Sequence, residues 1–194
     1  PLYSDAFHLY PTNCYVNSYR GNYAFGECAN GTKCTTNGIS AKGRRGTSTF
    51  TGYTNVGTVY EPDDEFKGDL ARTYFYMVTC YMNDNFTQAD GGAKMFTYPG
   101  GTAQLSNYSV ALLLKWHRQD PVSERELVRN EVIYGNSTYN KCNYKQGNRN
   151  PFIDYPELAE YIWGTKKGQT RTIASIVSAY DGGSSTPVDP TPTP

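Results

Sequence analysis

The sequence predicts an α+β fold on three observations. Apolar residues recur at three- and four-residue spacing across 63–82 and again across 108–118, the period of one helix face. Residues 28–60 are rich in Gly, Thr, Ser and Asn, with Phe50, Tyr53, Val56 and Val59 scattered among them, a composition of loops and short strands. The chain has 194 residues, and a Pro/Ser/Thr-rich stretch takes 182–194, which leaves one domain at 1–181. A domain of that size buries roughly 70% of its unfolded surface. Of the 38% hydrophobic share, 18 residues are tyrosines, so the core must lean on aromatic rings whose polar tips need partners.

Residues 1–27 read as an extended segment, a short helix and a turn. Pro62 with Asp63, Asp64 and Glu65 has the composition of a helix N-terminus, and Phe66, Leu70, Tyr74, Met77, Val78 and Tyr81 supply the stripe that follows. Residues 83–107 read as a polar connection. A helix over about 108–118 carries Val110, Leu113, Leu114 and Trp116 and stops at Asp120-Pro121. Asp120 is expected to cap the next helix, with Pro121 in its first turn and Leu127, Val128 and Val132 on its apolar side. Residues 135–150 have loop or hairpin composition, Pro156 opens a short helix through Trp163, and 171–180 fits strand or helix equally. From Gly182 the chain reads as a proline-stiffened linker leading to further sequence.

Lys and Arg number 18 and Asp and Glu number 18, so the formal net charge is zero and a globally basic nucleic-acid binder is excluded. Any polyanion contact must be local. No run approaches the ~20 apolar residues of a membrane helix. The five cysteines are Cys14, Cys28, Cys34, Cys80 and Cys142; without a CxxC pair, and with two histidines, they do not describe a zinc site. Cys28 and Cys34 bracket a turn-rich stretch. A small disulfide loop in an exported protein and buried reduced thiols are both open readings.

There is no dinucleotide turn, no phosphate loop and no defensible nucleophile–base set. The opening run SDAFHLYPTNCYVNSYRGNYAFG stands out. It places His8 on an extended segment, Asn17 nine residues later on a short helix, and Arg20 at that helix's end. A carboxamide oxygen is a hard ligand suited to Mg²⁺ or Ca²⁺, and an arginine nearby can hold phosphate in a fork. On residue type alone, a lone histidine is more often structural and an asparagine in a turn more often a cap. His117, near a helix end, reads as a cation favoured by the helix dipole, and the acids 61–65 read as dipole partners, not a second ion site. Lys42, Arg44 and Arg45 form the best basic cluster, on a Gly-rich loop.

The run D-x-F-H-L-Y-P-T-x-x-x-V-N-x-x-R-G-N-Y-x-F-G resembles the second half of the metal finger in the bacterial endonuclease I family. The blocks VYEPDDEFKGDLARTYFYM (59–77), LLKWHRQDPVSE (113–124), RN (129–130) and QGNRNPFID (146–154) follow in the same order. The resemblance covers about residues 4–164. It implies a ββα-metal (His-Me finger) fold, here partial, with a loop and short-strand region and several packed helices. It also implies a largely sequence-nonspecific endonuclease that cuts DNA, often RNA, to 5′-phosphate products with Mg²⁺, or Ca²⁺ or Mn²⁺ in its place. By position, Asn17 matches the metal-ligating asparagine. His8 matches a bracing position and not the general base, since role outranks residue type in assigning a base. Arg20 is a further catalytic candidate, and Arg149 joins Lys42, Arg44 and Arg45 as nucleic-acid contacts.

The family's base is a histidine in a Glu-His pair on a strand that would lie upstream of Pro1, and no Glu-His pair occurs in this sequence. A trimmed chain is the simplest expectation. A base supplied by a separate chain and an inactive homologue are the others, so the absent N-terminal segment counts as a covalent or separate partner. Residues 135–145 form an insertion bringing Lys141, Cys142 and Lys145, and Asn13 stands where many relatives have Asp. A secreted or periplasmic bacterial location follows from the resemblance. The alternative class is an extracellular glycan-binding module, with Tyr and Trp stacking on sugars and no catalysis.

Overall fold

The computed structural model describes residues 2–36, 39–88, 90–136 and 144–170. The chain opens with two single 3-10 turns, Leu2–Ser4 and Ala6–His8; the Asp5 carboxylate caps the second by accepting the Phe7 amide at 2.8 Å. His8 therefore ends a tight turn and is not on an extended segment, because Asp5 bonds the backbone two residues on. Asn13 then stands in extended backbone, and its side-chain oxygen accepts the Tyr15 and Val16 amides at 2.9 and 3.4 Å, which starts helix α1 (Cys14–Arg20). The helix ends at Gly21, whose φ of 57° strains any residue with a β-carbon.

The Gly/Thr/Ser/Asn-rich stretch holds strands β1 (Ala24–Phe25), β2 (Thr32–Thr36), β3 (Ile39–Thr47) and β4 (Thr58–Glu61). They form one sheet in the order β1-β4-β3-β2, with β1 parallel to β4 and the other pairs antiparallel. The nine-residue β3 exceeds the short strands expected. It also corrects the placement of Lys42, Arg44 and Arg45, which lie on this strand and not on a loop.

Helix α2 (Lys67–Cys80) and helix α4 (Asn107–Gln119) follow the predicted stripes closely. The expected connection between them is more structured than its composition implies: it contains α3 (Asp90–Met95) and the two-residue strands β5 (Phe96–Thr97) and β6 (Gln104–Leu105), paired antiparallel. Asp120 does not cap the following helix. Its carboxylate instead accepts the Gly68 amide at 2.7 Å in the first turn of α2, and a β-carbon at Gly68 would collide with the Asp120 carbonyl. Helix α5 (Glu124–Tyr134) is started by Ser123 in a reciprocal capping box with Glu126. The short helices α6 (Pro151–Asp154), capped by Asn150, and α7 (Leu158–Ile162) follow.

Two compact units are distinguishable: one takes the chain through Tyr10, Gly68–Thr79 and Leu114 onward, the other Pro11–Lys67 and Cys80–Leu113. The first has an aromatic core. Phe75 stacks on Trp163 at 4.9 Å and meets Phe152 at 5.5 Å, with Trp116 and Tyr76 fully enclosed. The second buries Val59, Met95, Leu112 and Leu113, with Phe50, Tyr53 and Tyr108 in mutual ring contact. Cys28 and Cys34 are both buried free thiols, which overturns the disulfide-loop reading; Cys28 Sγ lies 3.6 Å from the Arg44 carbonyl. Cys142, Lys141, residues 171–180 and the 182–194 linker lie outside the described residues.

Candidate active site

In the first unit, the turn carrying His8 is tied down from several elements. Thr73 of α2 donates its hydroxyl to the Phe7 carbonyl at 3.3 Å, and Tyr76 donates to Asp5 at 2.6 Å. The Ala6 amide donates to the Gln146 side chain at 2.8 Å, and Gln146 in turn donates to Asn148, which reaches the Tyr76 hydroxyl. The QGNRN run thus acts as a polar strap over the turn. The His8 imidazole itself is left with a buried Nδ1 that has no hydrogen-bond partner. Burial pushes its pKa below the ordinary imidazole value, Asp5 opposes that shift and Arg129 adds to it. Burial thus favours the neutral form of the His8 ring, which sits on a held backbone.

In the second unit, Asn17 sits in the middle of α1, exposed to solvent. Capping is done by Asn13, and among the described residues the Asn17 carboxamide has no hydrogen-bond partner. Its oxygen is free to ligate. Arg20, one turn on, lies over the Phe25 ring at 4.6 Å with a buried, unpartnered Nε.

The basic cluster divides between the two faces of β3. Alternation along a strand sets Lys42 and Arg44 on one side and Arg45 on the other. Arg45 donates to the Tyr19 carbonyl of α1 at 3.0 Å and lies over the Tyr19 and Tyr23 rings at 4.5 and 5.1 Å, so its guanidinium fastens the helix. Arg44 pairs with Glu61 at 3.7 Å and donates to the Ala29 carbonyl at 2.9 Å. Lys42, 72% exposed, pairs with Asp63 at 3.1 Å and Glu65 at 3.7 Å. Lys33, which sequence reasoning passed over, is directly opposite Arg44 in the β2–β3 register and is exposed, so it shares that face. Strand alternation read together with hairpin register would have found it.

The acids 61–65 are held by these cations. Lys67 bonds Glu61 at 2.8 Å and Asp64 at 2.7 Å, which keeps the Asp64 carboxyl below its usual pKa. No group of three or more His, Cys, Asp or Glu among the described residues is arranged to hold a metal.

Arg149, expected at phosphate, is clamped between Asp154 at 2.7 Å and Glu131 at 2.8 Å, with its side chain 18% exposed; these carboxylates hold its pKa well above the ordinary guanidinium value. His117 is not a helix-end cation. It is buried, with Arg72 Nη1 3.3 Å from Nδ1 and the Pro156 carbonyl 3.0 Å from Nε2, the pattern of a neutral ring donating through Nε2. Burial, with Arg72 beside it, lowers its pKa to about 4. Arg72 makes a two-pronged bond to Glu126 at 2.7 and 2.6 Å; burial drives the Glu126 carboxyl up and Arg72 opposes it.

The chain is α+β, with His8 on a pinned turn of one unit and Asn17 exposed on a helix of the other. The endonuclease I family matches residues 1–157, and the chain belongs to that family. An extracellular ribonuclease of Bacillus amyloliquefaciens is 38% identical over 161 residues, and an extracellular ribonuclease of Bacillus subtilis (strain 168) is 36% identical over 162 residues. Each alignment covers 82% of this chain and 46% of the relative, so the chain spans about half the length of the curated relatives it matches. No solved structure matches it.

Proposed function

We propose that the protein is a secreted, metal-dependent nuclease that hydrolyses the phosphodiesters of RNA and DNA with little sequence preference. The observation that carries this reading is the Asn17 carboxamide, exposed and unpartnered on a helix capped by a different residue, within a chain of the endonuclease I family. That donor fits one position of a Mg²⁺ shell, which is made of oxygens, keeps several waters and takes one or two carboxylates besides; Ca²⁺ or Mn²⁺ would use the same oxygen. Bound there, the ion would supply positive charge against the charge that builds on the phosphoryl oxygens and the leaving 3′ oxygen.

This chain's own residues take the following parts. Asn17 presents its oxygen and holds it on a helix fastened by Arg45. His8 remains neutral and supports the turn, and the general base and the ligating carboxylate come from a Glu-His pair outside these 194 residues, none being present within them. Lys33 and Lys42 approach the phosphate backbone, because an exposed surface ion pair such as Lys42–Asp63 is worth little and gives way to a polyanion. Such contacts position a strand without reading its bases, hence the low sequence preference.

The test is cleavage of plasmid DNA and of RNA by a form that includes an upstream Glu-His segment. Cleavage should be abolished by EDTA and restored by Mg²⁺, while residues 1–194 alone should leave both substrates intact. EDTA-sensitive nicking by 1–194 would overturn the supporting role and make His8 the candidate base. Retention on polysaccharide, with no salt-dependent affinity for nucleic acid, would replace the nuclease reading with a glycan-binding one.

A further inference from the structure

We infer that Arg129 is a positioning residue of the proposed nuclease: its guanidinium holds the Asp5–Tyr10 turn, and with it the His8 side chain, in a single geometry. What that geometry serves rests on the nuclease reading above. Arg129 projects from α5 and donates to three main-chain carbonyls of the turn: Ala6, Phe7 at 3.3 and 3.4 Å, and Leu9 at 3.1 Å. The same guanidinium lies over the Tyr10 ring at 4.3 Å, and Tyr10 is itself anchored through its hydroxyl to Thr73 Oγ1 at 2.7 Å. Carbonyls on both sides of His8 are thus gathered by one rigid planar fork.

The support behind the fork is equally fixed. The next residue, Asn130, is fully buried; its side chain donates to Asp154 at 2.9 Å and accepts the Asn150 amide at 2.9 Å. The helix start is locked by the Ser123–Glu126 capping box. Among the described residues no carboxylate pairs with Arg129, so its charge is directed at carbonyl dipoles and is not neutralised in an ion pair. Lysine keeps the charge but carries it as a compact ammonium on a flexible stem, without the planar fork that sets the orientation of the turn. Geometry and charge are therefore separable by substitution.

The experiment uses the 194-residue chain, in which His8 and His117 are the two histidines, so imidazole NMR signals assign cleanly. R129A and R129K should both shift the His8 ring resonances and move its titration upward toward the ordinary value, and should lower the protection of the Leu9 amide by about tenfold or more. His117 should keep its buried, low titration in both. In a cleaving form, kcat should fall about 10²-fold in both variants, with KM within about threefold. Unchanged His8 signals and Leu9 protection in R129K would overturn the positioning role. Loss of the His117 signature in both variants would make Arg129 a general folding residue and overturn it too. The NMR readout needs no catalysis, so its failure would leave the nuclease reading standing, whereas failure of that reading would show as absent cleavage with the NMR shifts intact.

Discussion

The two units both bury apolar cores but differ in the polar groups buried with them. In the first, Asp5, Asp69, Arg72, His117, Glu126, Asn130, Glu131, Asn150 and Asp154 are all buried and joined by charged or polar bonds. In the second, the interior includes Val59, Met95, Leu112, Leu113 and aromatic rings, and among the described residues the buried polar ones are Ser48, Lys67 and Ser109. Both nevertheless hold a candidate-bearing segment in the same way, with an arginine that donates to main-chain carbonyls and lies on tyrosine: Arg129 for the His8 turn, Arg45 for the Asn17 helix. A buried polar network contributes less net stability than its bond count suggests, since desolvation opposes it, yet it tolerates few arrangements. We read the polar network of the first unit as fixing a geometry on top of its aromatic core, and the second unit as resting on apolar burial with few buried polar groups.

This contrast can be broken most severely at Arg72. Arg72→Ala leaves Glu126 buried without its cation and should cost about 3–5 kcal/mol in urea unfolding, whereas Arg72→Met with Glu126→Leu should recover most of that. A loss under about 1 kcal/mol for Arg72→Ala would mean that water replaces the network freely. Leu112→Ala, in the apolar unit, should cost about 3 kcal/mol through lost transfer and cavity energy, with no partner substitution able to restore it.

The next effect is pH-dependent. His117 has a folded pKa of about 4 against 6.5 for the ordinary residue, so the unfolded chain binds a proton first as pH falls. Its contribution is fully present above about pH 6.5 and is lost as pH drops toward 4. Stability against pH for wild type and His117→Gln should diverge across that window by about 2–3 kcal/mol; parallel curves would show that the ring is not held neutral. The smallest change in stability, under about 1 kcal/mol, belongs to Lys33→Ala with Lys42→Ala. Their readout is salt dependence: the slope of log K against log salt on duplex DNA should flatten by nearly two units, while Arg45→Ala leaves it unchanged. A flatter slope for Arg45→Ala would mean that its guanidinium leaves the tyrosines for phosphate.

Helices α2 and α4 were legible because their apolar residues repeat at helical spacing within one window. Asp120-Pro121 has the look of a helix start, yet α5 begins at the Ser123–Glu126 capping box, because Asp120 is used on α2, more than fifty residues away in sequence. The length of β3 was hidden by its Gly and Arg content, since strand formation there depends on pairing with β2 and β4. Asn17 could be named as a candidate from the opening run. Arg129 could not, because its bonds to Ala6 and Leu9 span more than a hundred residues, and no local pattern records such a contact.

The most direct measurement is the cleavage rate of Asn17→Ala in a form that contains the upstream Glu-His segment, taken beside its melting temperature. Asn17 is exposed and unpartnered, so its loss should leave stability within about 0.5 kcal/mol. Removing one group that stabilises transition-state charge should lower kcat on the order of 10²-fold or more. An unchanged melting temperature with a rate within a few-fold of wild type would contradict the metal role of Asn17, and with it the assignment on which the proposed activity stands.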